Sequence, residues 1–257
     1  MPLTERALLE LLERPPAHAD RRLVYGDAPE QIVDWFEHQP SPRTLVLAIH
    51  GGFWRAAYDN RHLSHAARAW ARGRTVASLE YRRSGQPGGG YPGTLDDVVL
   101  AARTAVRACP SATRVVLIGH SAGGQLALWL AAERERWCES VQIAGVVALA
   151  PVADLLHGHA LGLGGGAIEA FMGAPPNASY AHASPAARLP LGVRQIVIHG
   201  ERDDQVPLAA SVRYVEAARA AGDHVDLWTL PGADHYCIVH PDAEEFLRVQ
   251  QALEVLG

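Results

Sequence analysis

The sequence predicts an α/β protein: a mostly parallel central sheet with helices on both faces. Apolar, β-branched runs too short for helices recur at residues 44–49, 75–81, 115–118, 143–150, 194–199 and 225–230. Segments with apolar residues at helical spacing separate many of them. Strand–helix units of roughly 30 residues, with strands apolar on both faces, call for a parallel sheet covered on both sides. The third observation is a junction. The run Val115-Val116-Leu117-Ile118 passes through Gly119-His120-Ser121-Ala122-Gly123 directly into Gln-Leu-Ala-Leu-Trp-Leu-Ala-Ala-Glu, a helix-forming pattern.

Taken in order, residues 3–13 have helical spacing that ends at Pro15-Pro16. Tyr25 to Pro29 reads as a turn and 31–36 as the first strand. The strand 44–49 leads into His50-Gly51-Gly52-Phe53-Trp54. A helix over 62–72 stops at Gly73, and a glycine- and proline-rich loop (84–93) follows the strand 75–81. Thr94 reads as the N-cap of a helix running to about 108, with Asp96 and Asp97 in its first turn favouring the helix dipole. Residues 152–190, rich in Gly, Ala, His and Pro, break the alternation. So long a stretch without periodicity reads as a lid or cap insertion within a single domain spanning 1–257. The alternation resumes with helices at 208–221 and 242–256.

Composition bounds the function. The net charge of −5, with arginine the sole basic side chain of the Lys/Arg pair and scattered along the chain, gives no basic patch for nucleic acid. Three separated cysteines offer neither a disulfide framework nor metal-ligand spacing. An early acidic residue, and no apolar stretch of membrane-spanning length, point to a cytoplasmic, soluble protein without a signal peptide or membrane partner. No cofactor or metal is expected, and the chain is expected to act as a monomer or homodimer.

The junction at Ser121 is the centre of the functional reading. Gly-x-Ser-x-Gly between a strand and a helix holds a serine in a strained turn with its hydroxyl exposed above the sheet edge. The helix that follows aims unpaired N–H groups at any oxyanion formed there. Open α/β sheets collect catalytic groups beyond the carboxyl ends of their strands. After strand 194–199 comes Gly200-Glu201-Arg202-Asp203-Asp204-Gln205-Val206-Pro207, and after strand 225–230 comes Pro231-Gly232-Ala233-Asp234-His235.

This order of serine, acid and histidine resembles the α/β-hydrolase superfamily of serine hydrolases over nearly the whole chain. The resemblance implies that Ser121 is the nucleophile, His235 the base and then acid, and a carboxylate the group that orients the imidazole. Asp203 matches the family's Gly-x-x-Asp-x-x-Val-Pro loop, with Asp204 as the alternative. His224 and His240 are assigned to structure or surface. His199 sits near the acid loop but precedes it. His157 and His159 lack further metal ligands, and Cys237 reads as packing. In the family, the position of His50-Gly51-Gly52-Phe53 is that of the oxyanion-hole loop. Backbone N–H groups of Gly51, Gly52 or Phe53, with that of Ala122, would cradle the oxyanion, and His50 would brace the loop.

The His-Gly-Gly-aromatic-Trp pattern, the Tyr25-Gly26 turn and Tyr91-Pro92-x-Thr94-x-x-Asp97 are similar to the kynurenine formamidase (arylformamidase) branch and related small carboxylesterases. Trp54 either lines an aryl pocket or plugs the core, and His120 is placed at the substrate pocket. The expected activity is cleavage of a small carboxylic ester or amide through an acyl-enzyme, carboxylesterase- or arylformamidase-like. A small peptidase of the prolyl-oligopeptidase type is the alternative, and a non-catalytic hydrolase-fold binding protein a distant third.

Overall fold

The computed structural model describes residues 11, 13–38, 43–138 and 141–257. Eight strands form one sheet: β1 (Arg21–Val24), β2 (Ile32–Phe36), β3 (Thr44–Ile49), β4 (Thr75–Leu79), β5 (Arg114–His120), β6 (Gln142–Leu149), β7 (Gln195–Gly200) and β8 (Val225–Leu230), in the order β1-β2-β4-β3-β5-β6-β7-β8. The pairs β1/β2 and β2/β4 are antiparallel, and the others are parallel. The mostly parallel α/β architecture expected from the alternation is the one observed.

Period two places the core. Along β5, Val115 and Leu117 enter one apolar cluster while Val116 and Ile118 enter the other, and all four are fully buried. The first cluster is closed by α2 (Gly93–Arg107), α3 (Ala122–Ala132) and α7 (Leu208–Ala220). The second is closed by α1 (Arg61–Trp70) and α8 (Phe246–Leu256), whose Trp70 and Phe246 rings stack 5.8 Å apart.

Some expectations are corrected. Strand β1 precedes the one expected first. It carries no apolar run because it is an edge strand whose arginines face outward, Arg22 gripping Asp34 through two bonds (2.7 and 3.0 Å) and Arg21 lying over Trp35. Thr94 lies inside α2 and does not cap it. The N-cap is Pro92, and the Thr94 hydroxyl instead bonds the Arg82 carbonyl and accepts the Gly90 N–H. The last helix starts at Phe246, after turns at 241–245. The helix expected over 3–13 lies outside the described residues, apart from positions 11 and 13.

The stretch 152–190 is not featureless. It holds α4 (Leu155–Ala160), α5 (Ala167–Met172), α6 (Ala178–Ala183) and a 3-10 turn, Pro185–Arg188. Six-residue helices are too short to show a periodic signal, and two of the three are marked by caps: Asp154 accepts from the His157 N–H and Asn177 from the Ser179 N–H. The segment is tied to α3 by Gln125 Nε2 to the Ala183 carbonyl (2.8 Å) and Trp129 Nε1 to the His182 carbonyl (2.9 Å). Among the described residues no helix is long and apolar enough to cross a membrane.

Leu117 sits fully buried on the central strand β5. Leu117→Ala is expected to lower unfolding stability by about 2–5 kcal/mol, the cost of a core cavity. A urea midpoint within error of the parent would contradict that placement.

Candidate active site

The site begins at the end of β5, where Ser121 takes φ 56° and ψ −118° before α3 starts at Ala122. A serine at positive φ is strained, and such strain persists only where the surroundings impose it. Here the surroundings are backbone. A Cβ on Gly123 would lie 2.1 Å from the Ile49 carbonyl oxygen and 2.4 Å from that of His50. A Cβ on Gly51 would lie 2.6 Å from the His120 carbonyl oxygen and 3.0 Å from Ser121 Cβ. Strand, helix and the loop after β3 therefore meet at the serine in a way that only glycine allows at these two positions.

Asp203 and His235 reach the same place from the loops after β7 and β8. His235 Nδ1 donates to Asp203 Oδ2 at 2.6 Å, with both side chains essentially buried. Asp203 Oδ1 accepts the N–H groups of Gln205 (2.9 Å) and Val206 (2.8 Å). His199 stands behind it, its Nε2–H shared between the Val206 carbonyl (2.8 Å) and Asp203 Oδ2 (3.2 Å), while its Nδ1 bonds the Ser211 hydroxyl. Burial alone would raise the Asp203 carboxyl. The hydrogen bonds from His199, His235 and the Val206 N–H outweigh it and hold Asp203 well below the usual carboxylate range. Asp204, the alternative acid, is exposed and bonded to Gln205 Nε2.

Ser121 and His235 line one small cavity with Gly52, Phe53 and His120. Tyr58, His62 and Tyr236 complete its wall; no local motif marks these three, beyond Tyr236 being next to His235. The cavity is small and partly enclosed. Ala122 opens α3, so its N–H has no partner four residues back within the helix. The Gly51, Gly52, Phe53 and Ala122 backbones are thus all gathered around Ser121.

Packing places several of the side chains singled out in the sequence. Trp54 is fully buried and absent from the cavity wall. Its indole N–H donates to Gln125 Oε1 (3.0 Å) and its ring stacks on Phe171 at 4.7 Å. It plugs the core. His120 does line the cavity. Its Nε2–H donates to the His235 carbonyl (2.9 Å), and burial pushes its imidazole well below the usual histidine range, so it is neutral. His50 braces the glycine loop: Nδ1 contacts the Gly51 carbonyl (2.8 Å) and Nε2 contacts Glu80 (3.0 Å). Cys237 receives the Asp234 N–H on its sulfur and burial pushes its thiol up to about 12, consistent with packing. His157 and His159 lie on α4, and no group of three or more His, Cys, Asp or Glu among the described residues is placed to hold a metal.

A hydroxyl at a strained turn, an imidazole in the same cavity and a buried carboxylate fixing the ring tautomer can together perform acyl transfer through a serine. The class so defined is the α/β-hydrolase fold. Within it the chain belongs to the prolyl oligopeptidase family, whose model matches residues 66–254. Over 125 residues, 48% of this chain, it is 34% identical to an acetyl-hydrolase of Streptomyces hygroscopicus, and the match spans 40% of that protein's length. Esterase B of Lactobacillus rhamnosis superposes with a TM-score of 0.78 at 19% identity, covering 100% of this chain and 96% of that one. The same esterase is known with a C4-C4 SN3 tributyrin phosphonate. A bifunctional GH43-CE protein of Bacteroides eggerthii superposes with a TM-score of 0.74 at 22% identity, covering 93% of this chain and 38% of that one. At these identities the structural likeness is one of fold.

Burial pushes His62, in the cavity wall, down to about 4, with nearby His50 adding to the effect. The unfolded chain takes up that proton near pH ~6.5 and the native chain only near 4, so stability should fall as pH drops across this window. His120 acts in the same direction. We expect up to about 1.4 kcal/mol per pH unit for each such group, read from urea unfolding at pH 7, 6 and 5. His62→Asn should flatten part of that slope, and an unchanged slope would remove His62 as its source.

Proposed function

We propose that the protein is a serine esterase that cleaves small carboxylic esters through an acyl-enzyme. One observation carries the reading: Ser121 at its strained turn shares a cavity with His235, whose Nδ1 is held by buried Asp203. In this reading His235 takes the Ser121 proton as the hydroxyl attacks the ester carbonyl. The N–H groups of Ala122 and of Gly52 or Phe53, with Gly51 at the loop's turn, stabilise the tetrahedral oxyanion. His235 then returns its proton to the leaving alcohol, and water attacking the acyl-serine by the same route releases the acid. The similarity to an acetyl-hydrolase and the small cavity both support a short acyl group.

Two finer readings are kept for test. The formamidase-like marks Tyr25 and Asp97 are spent on structure: the Tyr25 hydroxyl donates to the Glu80 carbonyl, and Asp97 holds Arg82 and Gln31. With Trp54 in the core, this favours the general carboxylesterase over an arylformamidase. The family match favours a peptidase as the second reading.

The deciding comparison is kcat/KM on p-nitrophenyl acetate, N-formylkynurenine and a proline-containing peptide. Ester turnover is expected to dominate. Formamide or peptide turnover of equal efficiency would move the assignment to that class. Ser121→Ala should lower activity by roughly 10³-fold or more with folding intact, and Asp203→Asn by a comparable factor. A Ser121→Ala protein retaining a tenth of parent turnover would mean that another group is the nucleophile.

A further inference from the structure

Phe53 faces the cavity from the glycine loop and is half buried. It takes φ 53°, between Gly52 at 100° and Trp54 at 53°, so three successive residues lie in the left-handed region. Its ring also meets the 152–190 segment. Gly164, in the turn between α4 and α5, packs against it so closely that a Cβ there would lie 2.4 Å from Phe53 Cδ1 and 2.7 Å from Cε1. Arg55 ties the turn down. Its guanidinium lies 5.8 Å from the Phe53 ring centroid and donates to the carbonyls of Gly164 and Gly165. Gly162, Gly164, Gly165 and Gly166 all have positive φ, so the turn has a conformation that other residues adopt only under strain. The ring is thus held between the cavity and a turn contributed by the 152–190 segment.

From this arrangement we infer that Gly164 is a specificity-determining position: the space left by its missing side chain sets how far the Phe53 ring stands back in the cavity wall, and that wall limits the acyl group to a short chain. The inference rests on the ester reading above. A side chain at 164 has two outcomes, moving the turn or moving the ring. Arg55 restrains the turn, so the ring yields toward the cavity. Because the ring lines the cavity beside Ser121, any inward movement of it removes room for the acyl group, and its truncation opens the wall.

The test is the acyl-chain profile. kcat/KM is measured on p-nitrophenyl acetate, butyrate and octanoate for the parent, Gly164→Ala, Phe53→Ala and Arg55→Gln. Phe53→Ala is expected to raise the octanoate-to-acetate ratio by roughly tenfold or more, and Arg55→Gln to raise it by less. Gly164→Ala is expected to lower the butyrate-to-acetate ratio by roughly fivefold, chiefly through KM for butyrate. If Gly164→Ala does not fold, the other two variants decide. Ratios equal to the parent's in Phe53→Ala and Arg55→Gln, while all esters are still turned over, overturn the inference and leave the esterase reading standing. A parent protein that turns over no ester overturns both.

Discussion

Everything at this site depends on how closely three backbone segments pass one another at Ser121. The carbonyls of Ile49 and His50 occupy the space where Gly123 would carry a side chain, and the His120 carbonyl and Ser121 Cβ occupy that of Gly51. The serine can be held at positive φ because β5 is central in the sheet, with β3 and β6 hydrogen-bonded on its two sides. The carboxyl end of a central strand thus carries the strain, and the glycine loop is packed tightly against it.

A second constraint sits below the first. Glu80, at the end of β4, is buried, and it reaches both ends of the glycine loop: His50 Nε2 at one end and the Asn60 N–H (2.8 Å) at the other. Arg83 pairs with it at 2.5 Å. Burial alone would raise its carboxyl, but His50 and Arg83 beside it keep it below the ordinary carboxylate value. Tyr81 adds a hydroxyl to the His50 carbonyl (2.7 Å) and stacks on its imidazole at 4.3 Å. Next to this cluster, Asp97 binds Arg82, and the Tyr25 hydroxyl binds the carbonyl of Glu80. Tyr25 and Asp97, which read as family marks in the sequence, are therefore part of the scaffold under the loop, and neither lines the cavity.

What could be read in advance, and what could not, follows from the range of the signal. Ser121, the parallel strands and the loops bearing Asp203 and His235 are local patterns: apolar runs, a turn glycine, a strand end. They were legible. Strand β1 was not, because an edge strand with outward arginines lacks the apolar run that marks a strand. Tyr58, His62 and Glu80 were not, because each acts through contacts with residues far away in sequence. Trp54 was ambiguous for a related reason: adjacent side chains of a tight loop leave in different directions, and Phe53 faces the cavity while Trp54 enters the core. Thr94 misled because its hydroxyl found a carbonyl across the loop instead of the helix N–H groups.

The three groups gathered at the cavity come from loops after β5, β7 and β8, at positions 121, 203 and 235, and the bracing carboxylate comes from position 80. No fragment of the chain contains them all without most of the sheet between them. Contacts of such high sequence separation are closed late and at a large entropic cost. On the proposed function, hydrolytic turnover therefore reports on the completed register of the sheet. In a refolding experiment it should return with the last cooperative phase, well after helix content has recovered, which makes the chemistry of this protein a clock for its own assembly.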